Sequence, residues 1–220
     1  VKIINENDFN FYIKKYMPED IEPIMIDKEE ELDNFIDKFI KGRYDEIAVD
    51  LEHHSKESYL GITCLMQIST RDEDFIIDPI KLRTKINKLN IIFTDPNILK
   101  VFHGADYDIL WLQRDFGVYV VNMFDTGIAS RLLQYPSFSL KYLLNEKCEY
   151  EKDKKYQLAD WRIRPLTKEM IKYAKNDTHF LLYVHDILKK ELIEKSINEI
   201  NSRSNFLYLY KQCIKQSNEL

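Results

Sequence analysis

"EIAVDLE", residues 46–52, is a short apolar-rich run that reads as a β-strand. Successive side chains on a strand alternate faces, so Asp50 and Glu52 point the same way, two positions apart. Two carboxylates that close repel unless a cation lies between them. Taken alone, such a pair is more often a strand end reaching solvent, because acids are mostly exposed.

Working outward, apolar residues recur at helical spacing before the strand, at Leu32, Phe35, Ile36 and Phe39. After it, "GITCLMQIST" (61–70) and "EDFIIDPI" (73–80) follow at short intervals, which predicts an antiparallel meander. "ILKVFHG" (98–104) is a fourth strand candidate and leads into a helix beginning near Ala105. Beyond "YVVNMFDT" (119–126) the chain reads as mostly helical, with one basic irregular stretch from Lys152 to Pro165. Strands first, then mixed, then helices imply an α/β domain with a mixed sheet. Residues 1–25, with Pro18 and Pro23, read as an N-terminal arm without a strong period.

The helix pattern in "KYAKNDTHFLLYV" (172–184) carries a second acid. Met170, Tyr173, Ala174, Phe180, Leu181 and Val184 fall on one face, and Asp177 falls in its middle; Lys172, Lys175 and His179 lie off it. A carboxylate in an apolar stripe is costly to desolvate unless something cationic meets it. Tyr173 and Asp177 are four apart and therefore neighbours. In "HGADYDILWLQRDF" (103–116), Ala105, Ile109, Leu112 and Phe116 form the buried face, flanked by Asp106 and Asp108. Periodicity alone does not choose between these two aspartates.

Bulk composition bounds the function. The chain has 220 residues, a net charge of −5, 45% hydrophobic and 31% charged residues, an ordinary globular balance. No run is long and apolar enough to span a membrane, and no charged-then-apolar leader opens the chain. An acidic balance argues against a nucleic-acid partner, but setting aside four metal-held carboxylates leaves only −1, so it decides little. Cys64, Cys148 and Cys213 are odd in number and far apart, which suits a reducing compartment. Carboxylates from separate elements suit Mg²⁺ or Mn²⁺ rather than zinc.

Together these residues resemble the DEDD exonucleases of the tyrosine-bearing branch: D-x-E on a strand, an Asp in a later helix, then Y-x-x-x-D. "EIAVDLEHHS", "GITCLMQIST", "KVFHGADYDILWLQRDFGVYVVNMFDT" and "KKYQLADWRIRPL" are similar to ribonuclease D. They are more similar still to its eukaryotic relative, the nuclear exosome-associated 3′→5′ exoribonuclease. The resemblance covers about residues 25–190. It implies a ribonuclease H-like mixed β-sheet flanked by α-helices, and two divalent cations, Mg²⁺ or Mn²⁺. Asp50, Glu52, Asp108 and Asp177 would be the metal ligands, so the family pattern favours Asp108 over Asp106. Tyr173 would assist the attacking water. A sister branch carries a histidine five residues before the last Asp; Lys172 stands there, which keeps the tyrosine branch.

The resemblance further implies an enzyme releasing 5′-mononucleotides from RNA 3′ ends. Its partners would be single-stranded RNA with a free 3′ end and the RNA exosome core with its associated factors, in the nucleus and nucleolus. The alternatives are a DNA 3′→5′ exonuclease, or a catalytically inactive nucleic-acid-binding scaffold. Domain expectations are an arm over 1–25, an exonuclease domain over 26–192, and a helical segment over 193–220 that leads to an absent HRDC-type domain. The chain begins with Val1 and reads as an excised catalytic fragment.

Substrate contacts are expected at His53, Gln67, Tyr156, Trp161 and Arg162. Basic and aromatic groups together suit single strands. His53 and His54 also read as exposed loop histidines, and His103 as structural. His179 and His185 are six apart and cannot face one ion. Asp125 in "FDT" reads as a helix N-cap.

Overall fold

The structure is a computed structural model that describes residues 13, 15, 16, 18, 20–42, 44–56, 60–153, 155–200 and 207–220, the side chains at 199 and 200 excepted. Its strands are β1 (Ile24–Ile26), β2 (Glu46–His54), β3 (Ile62–Ser69), β4 (Asp74–Ile77), β5 (Leu99–Phe102) and β6 (Met123–Asp125). They form one six-stranded mixed sheet in the order β1-β4-β3-β2-β5-β6. The meander β2-β3-β4 is antiparallel, as its close spacing predicts, while β1, β5 and β6 join in parallel.

Alternation along β2 divides the core. Ile47, Val49 and Leu51 join one apolar cluster with α1 (Glu29–Gly42), α2 (Asn90–Phe93) and the buried face of α3 (Asp106–Trp111). Ala48 faces the opposite cluster, built with α4 (Thr126–Leu133), α5 (Leu140–Cys148), α7 (Leu181–Ile200) and α8 (Tyr208–Ser217). Asp50 and Glu52 share that second face, which α6 (Lys168–His179) also covers. Helices thus lie on both faces of the sheet.

α1 forms where the 3.6-residue period puts it, and its buried residues are Leu32, Phe35, Ile36 and Phe39. Glu29, Glu30 and Glu31 in the first turn and Lys41 in the last suit the helix dipole. Each such buried side chain contributes about 1.5–3 kcal/mol by leaving water, so Phe35→Ala would cost about 3–5 kcal/mol.

The stretch 172–184 is not one helix. It breaks at Phe180 into α6 and α7, and α6 is buried beyond its apolar stripe. Lys175 and His179, off the stripe, are covered too. The reason lies in the chain before β1: Lys175 Nζ donates to the Ile21 carbonyl at 3.1 Å, and the Tyr16 ring packs edge-on against Phe180 and Tyr183.

Two stretches read as appendages contribute to this body. Ile24 and Met25, within the stretch read as an arm, pair with Phe75 and Ile76. Asn218 takes both backbone groups of Met123 with its side-chain amide, at 2.9 Å each, and covers strand β6. No helix among the described residues is long and apolar enough to cross a membrane.

Candidate functional site

Beyond Ala48, β2 is paired only with β3, because β5 runs alongside Glu46 to Ala48 and then ends. Asp50 and Glu52 therefore stand past the end of a neighbouring strand. Their register shifts between Glu52 and His53, a bulge of the kind that re-aims side chains. α6 crosses the same face, started by Thr167, whose hydroxyl accepts the Met170 N–H at 3.2 Å. It brings Asp177 down, and one oxygen each from Asp50, Glu52 and Asp177 lies within 4.8 Å of the others. Tyr173 lies one turn earlier on α6.

Asp108 and Asp106 separate clearly. Asp108 is 7% exposed on α3, and Asp106 is exposed. The acids raise one another. Burial and the neighbouring Asp177 push Asp50 up to about 7. Burial followed by the charges of Asp50 and Asp177 holds Glu52 well above the usual range. Burial, Asp50 and Asp125 do the same to Asp108. Tyr173 is pushed up to about 12 by burial and Asp177, so its phenol keeps its proton at neutral pH.

What meets Asp177 is Lys152. The two form an ion pair, and the ammonium lies 4.8 Å from the centre of the Tyr173 ring. Burial raises the Asp177 carboxyl, and Lys152 pulls it back. These groups line a cleft of about 380 Å³ with Asp50, His103 and Ser139. His103 Nδ1 lies 2.9 Å from Thr126 Oγ1, whose hydroxyl donates to the Phe102 carbonyl. Burial lowers this ring to about 4, which keeps it neutral.

The expected substrate contacts divide. Gln67 and Trp161 are 0% and 1% exposed and face the interior between sheet and α6, so neither side chain is open to a strand lying on the surface. Gln67 stands directly across from Asp50 in the β2–β3 register. His53 and His54 are not loop histidines: both belong to β2, and His54 is buried. The His53 ring stacks on Trp111 at 4.1 Å and 5°, and Tyr107 stacks on Trp111 in turn at 5.7 Å. Tyr156 and Arg162 are half-buried, with Arg162 paired to Asp160 at 2.8 Å. Within the basic stretch, Arg164 is held by Asp78 at 2.6 Å, and Lys154 lies outside the described residues.

Other clusters do not compete. Glu46, His185 and Asp186 converge, but the Arg71 guanidinium already serves them, at 2.5 Å to Glu46 and 2.7 Å to Asp186. His179 is held by Asp74 at 2.7 Å, away from His185. A larger hollow of about 500 Å³, lined by Ile40, Ile91 and Asp95, contains none of the converging acids. Sequence reasoning did not single out Lys152, His103 or Trp111 for this site. The available signal was that Asp177 required a cation.

An all-oxygen donor set from a strand and two helices fits a hard divalent cation. The acids of Asp50, Glu52 and Asp177 converge without one another's charge being neutralised, apart from Lys152. That is the arrangement a divalent ion relieves.

Residues 23–193 match the family model described as 3′-5′ exonuclease. The chain is 61% identical over 150 residues to human exosome complex component 10, covering 68% of this chain and 17% of that protein. It is 53% identical over 178 residues to the exosome complex exonuclease RRP6 of Saccharomyces cerevisiae, covering 81% and 24%. The chain therefore spans about a fifth of the length of these curated relatives. Among solved structures it is similar to the catalytic core of RRP6 from Trypanosoma brucei, with a TM-score of 0.82 and 44% identity, covering 93% of this chain and 54% of that one.

Proposed function

Because the chain belongs to the 3′-5′ exonuclease family, we propose that it is the catalytic domain of an exosome-associated 3′→5′ exoribonuclease, a hydrolase releasing 5′-mononucleotides from RNA. The observation that carries this reading is the convergence of Asp50, Glu52 and Asp177 within 4.8 Å, with buried Asp108 feeling the charge of Asp50. The naming of its relatives as exosome components and as an exosome exonuclease supports the RNA substrate and the exosome as partner. On the same ground the protein acts in the nucleus, in RNA processing and decay.

Asp50, Glu52, Asp108 and Asp177 would hold two divalent ions, Mg²⁺ or Mn²⁺. Bound there, such ions supply a lowered water pKa and a clamp on the attacking and leaving oxygens of a phosphodiester. The remaining work falls to side chains. The Tyr173 hydroxyl orients the attacking water by hydrogen bonding; its high pKa excludes it as a base at neutral pH. The aromatic stack of His53, Trp111 and exposed Tyr107 offers a stacking surface for a base at the RNA 3′ end. Tyr156 and Arg162 lie along the basic stretch and contact the strand. The body that carries this activity reaches beyond residues 26–192, since β1 begins at Ile24 and Asn218 covers strand β6.

The test is incubation of 5′-labelled single-stranded RNA and DNA with chelated protein, before and after Mn²⁺ is restored. The expected result is metal-dependent shortening of RNA one nucleotide at a time. Degradation of circular RNA, or shortening of DNA alone, contradicts the reading.

A further inference from the structure

The Asp125 carboxylate accepts hydrogen bonds from four backbone amides on two separate stretches of chain. Oδ1 takes the N–H groups of Gly127 at 2.7 Å and Ile128 at 3.2 Å, the ordinary cap of α4. The same oxygen takes Gly104 N–H at 3.0 Å, and Oδ2 takes Ala105 N–H at 2.8 Å. Gly104 and Ala105 are the entry to α3, whose first turn carries Asp108. Asp125 is buried, so water does not serve as a substitute partner.

α3 depends on this. Its six α-helical residues run on only into one π-helical turn, Leu112–Phe116, and its own N-cap residue, Ala105, makes no side-chain cap. Helices that short are marginal without outside support. Gly104 has φ of +66°, which turns two successive amides toward one carboxylate in the manner of an anion-binding nest. Asp125 is itself tied down, since its own N–H donates to Ser217 Oγ at 2.9 Å. An N-cap of α4 would need only Oδ1; the Oδ2 bond to Ala105 is unexplained by that role.

We infer that Asp125 is the positioning residue for Asp108: one carboxylate caps two helices and fixes the start of α3 against β6. This rests on the reading of Asp108 as a metal ligand. Groups that orient metal ligands typically account for 10–100-fold in metal affinity.

Asp125→Ser tests it. Serine caps α4 through Gly127 and Ile128 but cannot also reach Gly104 and Ala105. Mn²⁺ titration by calorimetry and thermal melting are run on the parent, Asp125→Ser and Asp108→Asn. The expected result is cooperative melting of Asp125→Ser with Mn²⁺ affinity about tenfold or more below parental, as for Asp108→Asn. Parental affinity in Asp125→Ser with weakened Asp108→Asn overturns this inference alone. Parental affinity in Asp108→Asn overturns the ligand reading beneath it, and the inference with it. Should Asp125→Ser fail to melt cooperatively, isosteric Asp125→Asn takes its place in the same pair of measurements: weakened Mn²⁺ affinity supports the inference and parental affinity overturns it.

Discussion

Lys152 and Asp177 are ion-paired over the face of Tyr173, so the carboxylate at the centre of α6 already has a cation. A divalent ion and the Lys152 ammonium draw on the same oxygens. Lys152→Met keeps most of the stem and removes the charge. Divalent affinity should rise, and melting temperature in chelator should fall, because a buried acid loses its partner. Calorimetric titration and melting curves check both signs.

Asp50→Asn should abolish activity while leaving the fold intact. Its folded carboxyl is raised to about 7, above its value in the unfolded chain. A raised acid makes the folded protein bind more protons, so this group's contribution favours folding as pH falls from above 7 toward about 4. In chelator, the parent should therefore gain stability over that window more steeply than Asp50→Asn. Equal pH slopes by chemical denaturation would contradict the shift.

Asp106→Asn should be nearly silent and Asp108→Asn severe. The first changes an exposed acid, the second a buried one that feels Asp50. Initial rates on RNA decide the matter, and the reverse order would reassign the α3 ligand.

Tyr173→Phe keeps the ring and its packing and removes only the hydroxyl. The rate should fall by about 10²-fold, within the range for a positioned proton-transfer group. Divalent affinity should stay near parental, because all four carboxylates remain. Single-turnover cleavage beside metal titration separates the two effects.

The sheet was legible because period-2 and period-3.6 patterns are local. The meander from Glu46 to Ile77 and the buried face of α1 follow from spacing alone. Asp50 and Glu52 sharing a face follows from alternation, and the need of Asp177 for a cation follows from its place among apolar residues. Long-range pairings were not legible. The three-residue strand Ile24–Ile26 has no period to read, and it exists because β4 has a free side. Lys152 lies in an irregular stretch, where no spacing says that its ammonium turns inward. Gln67 and Trp161 read as substrate contacts, but sequence alone does not say what covers them. The covering helix α6 buries them.

The proposed activity requires that Asp50, Glu52, Asp108 and Asp177 form one divalent-metal centre. The most direct test is the anomalous scattering of Mn²⁺ soaked into crystals of the protein. Strong peaks are expected bounded by Asp50, Glu52 and Asp177, with Asp108 ligating on the Asp50 side. Mn²⁺ bound elsewhere, with Lys152 still paired to Asp177 at saturating metal, would contradict it.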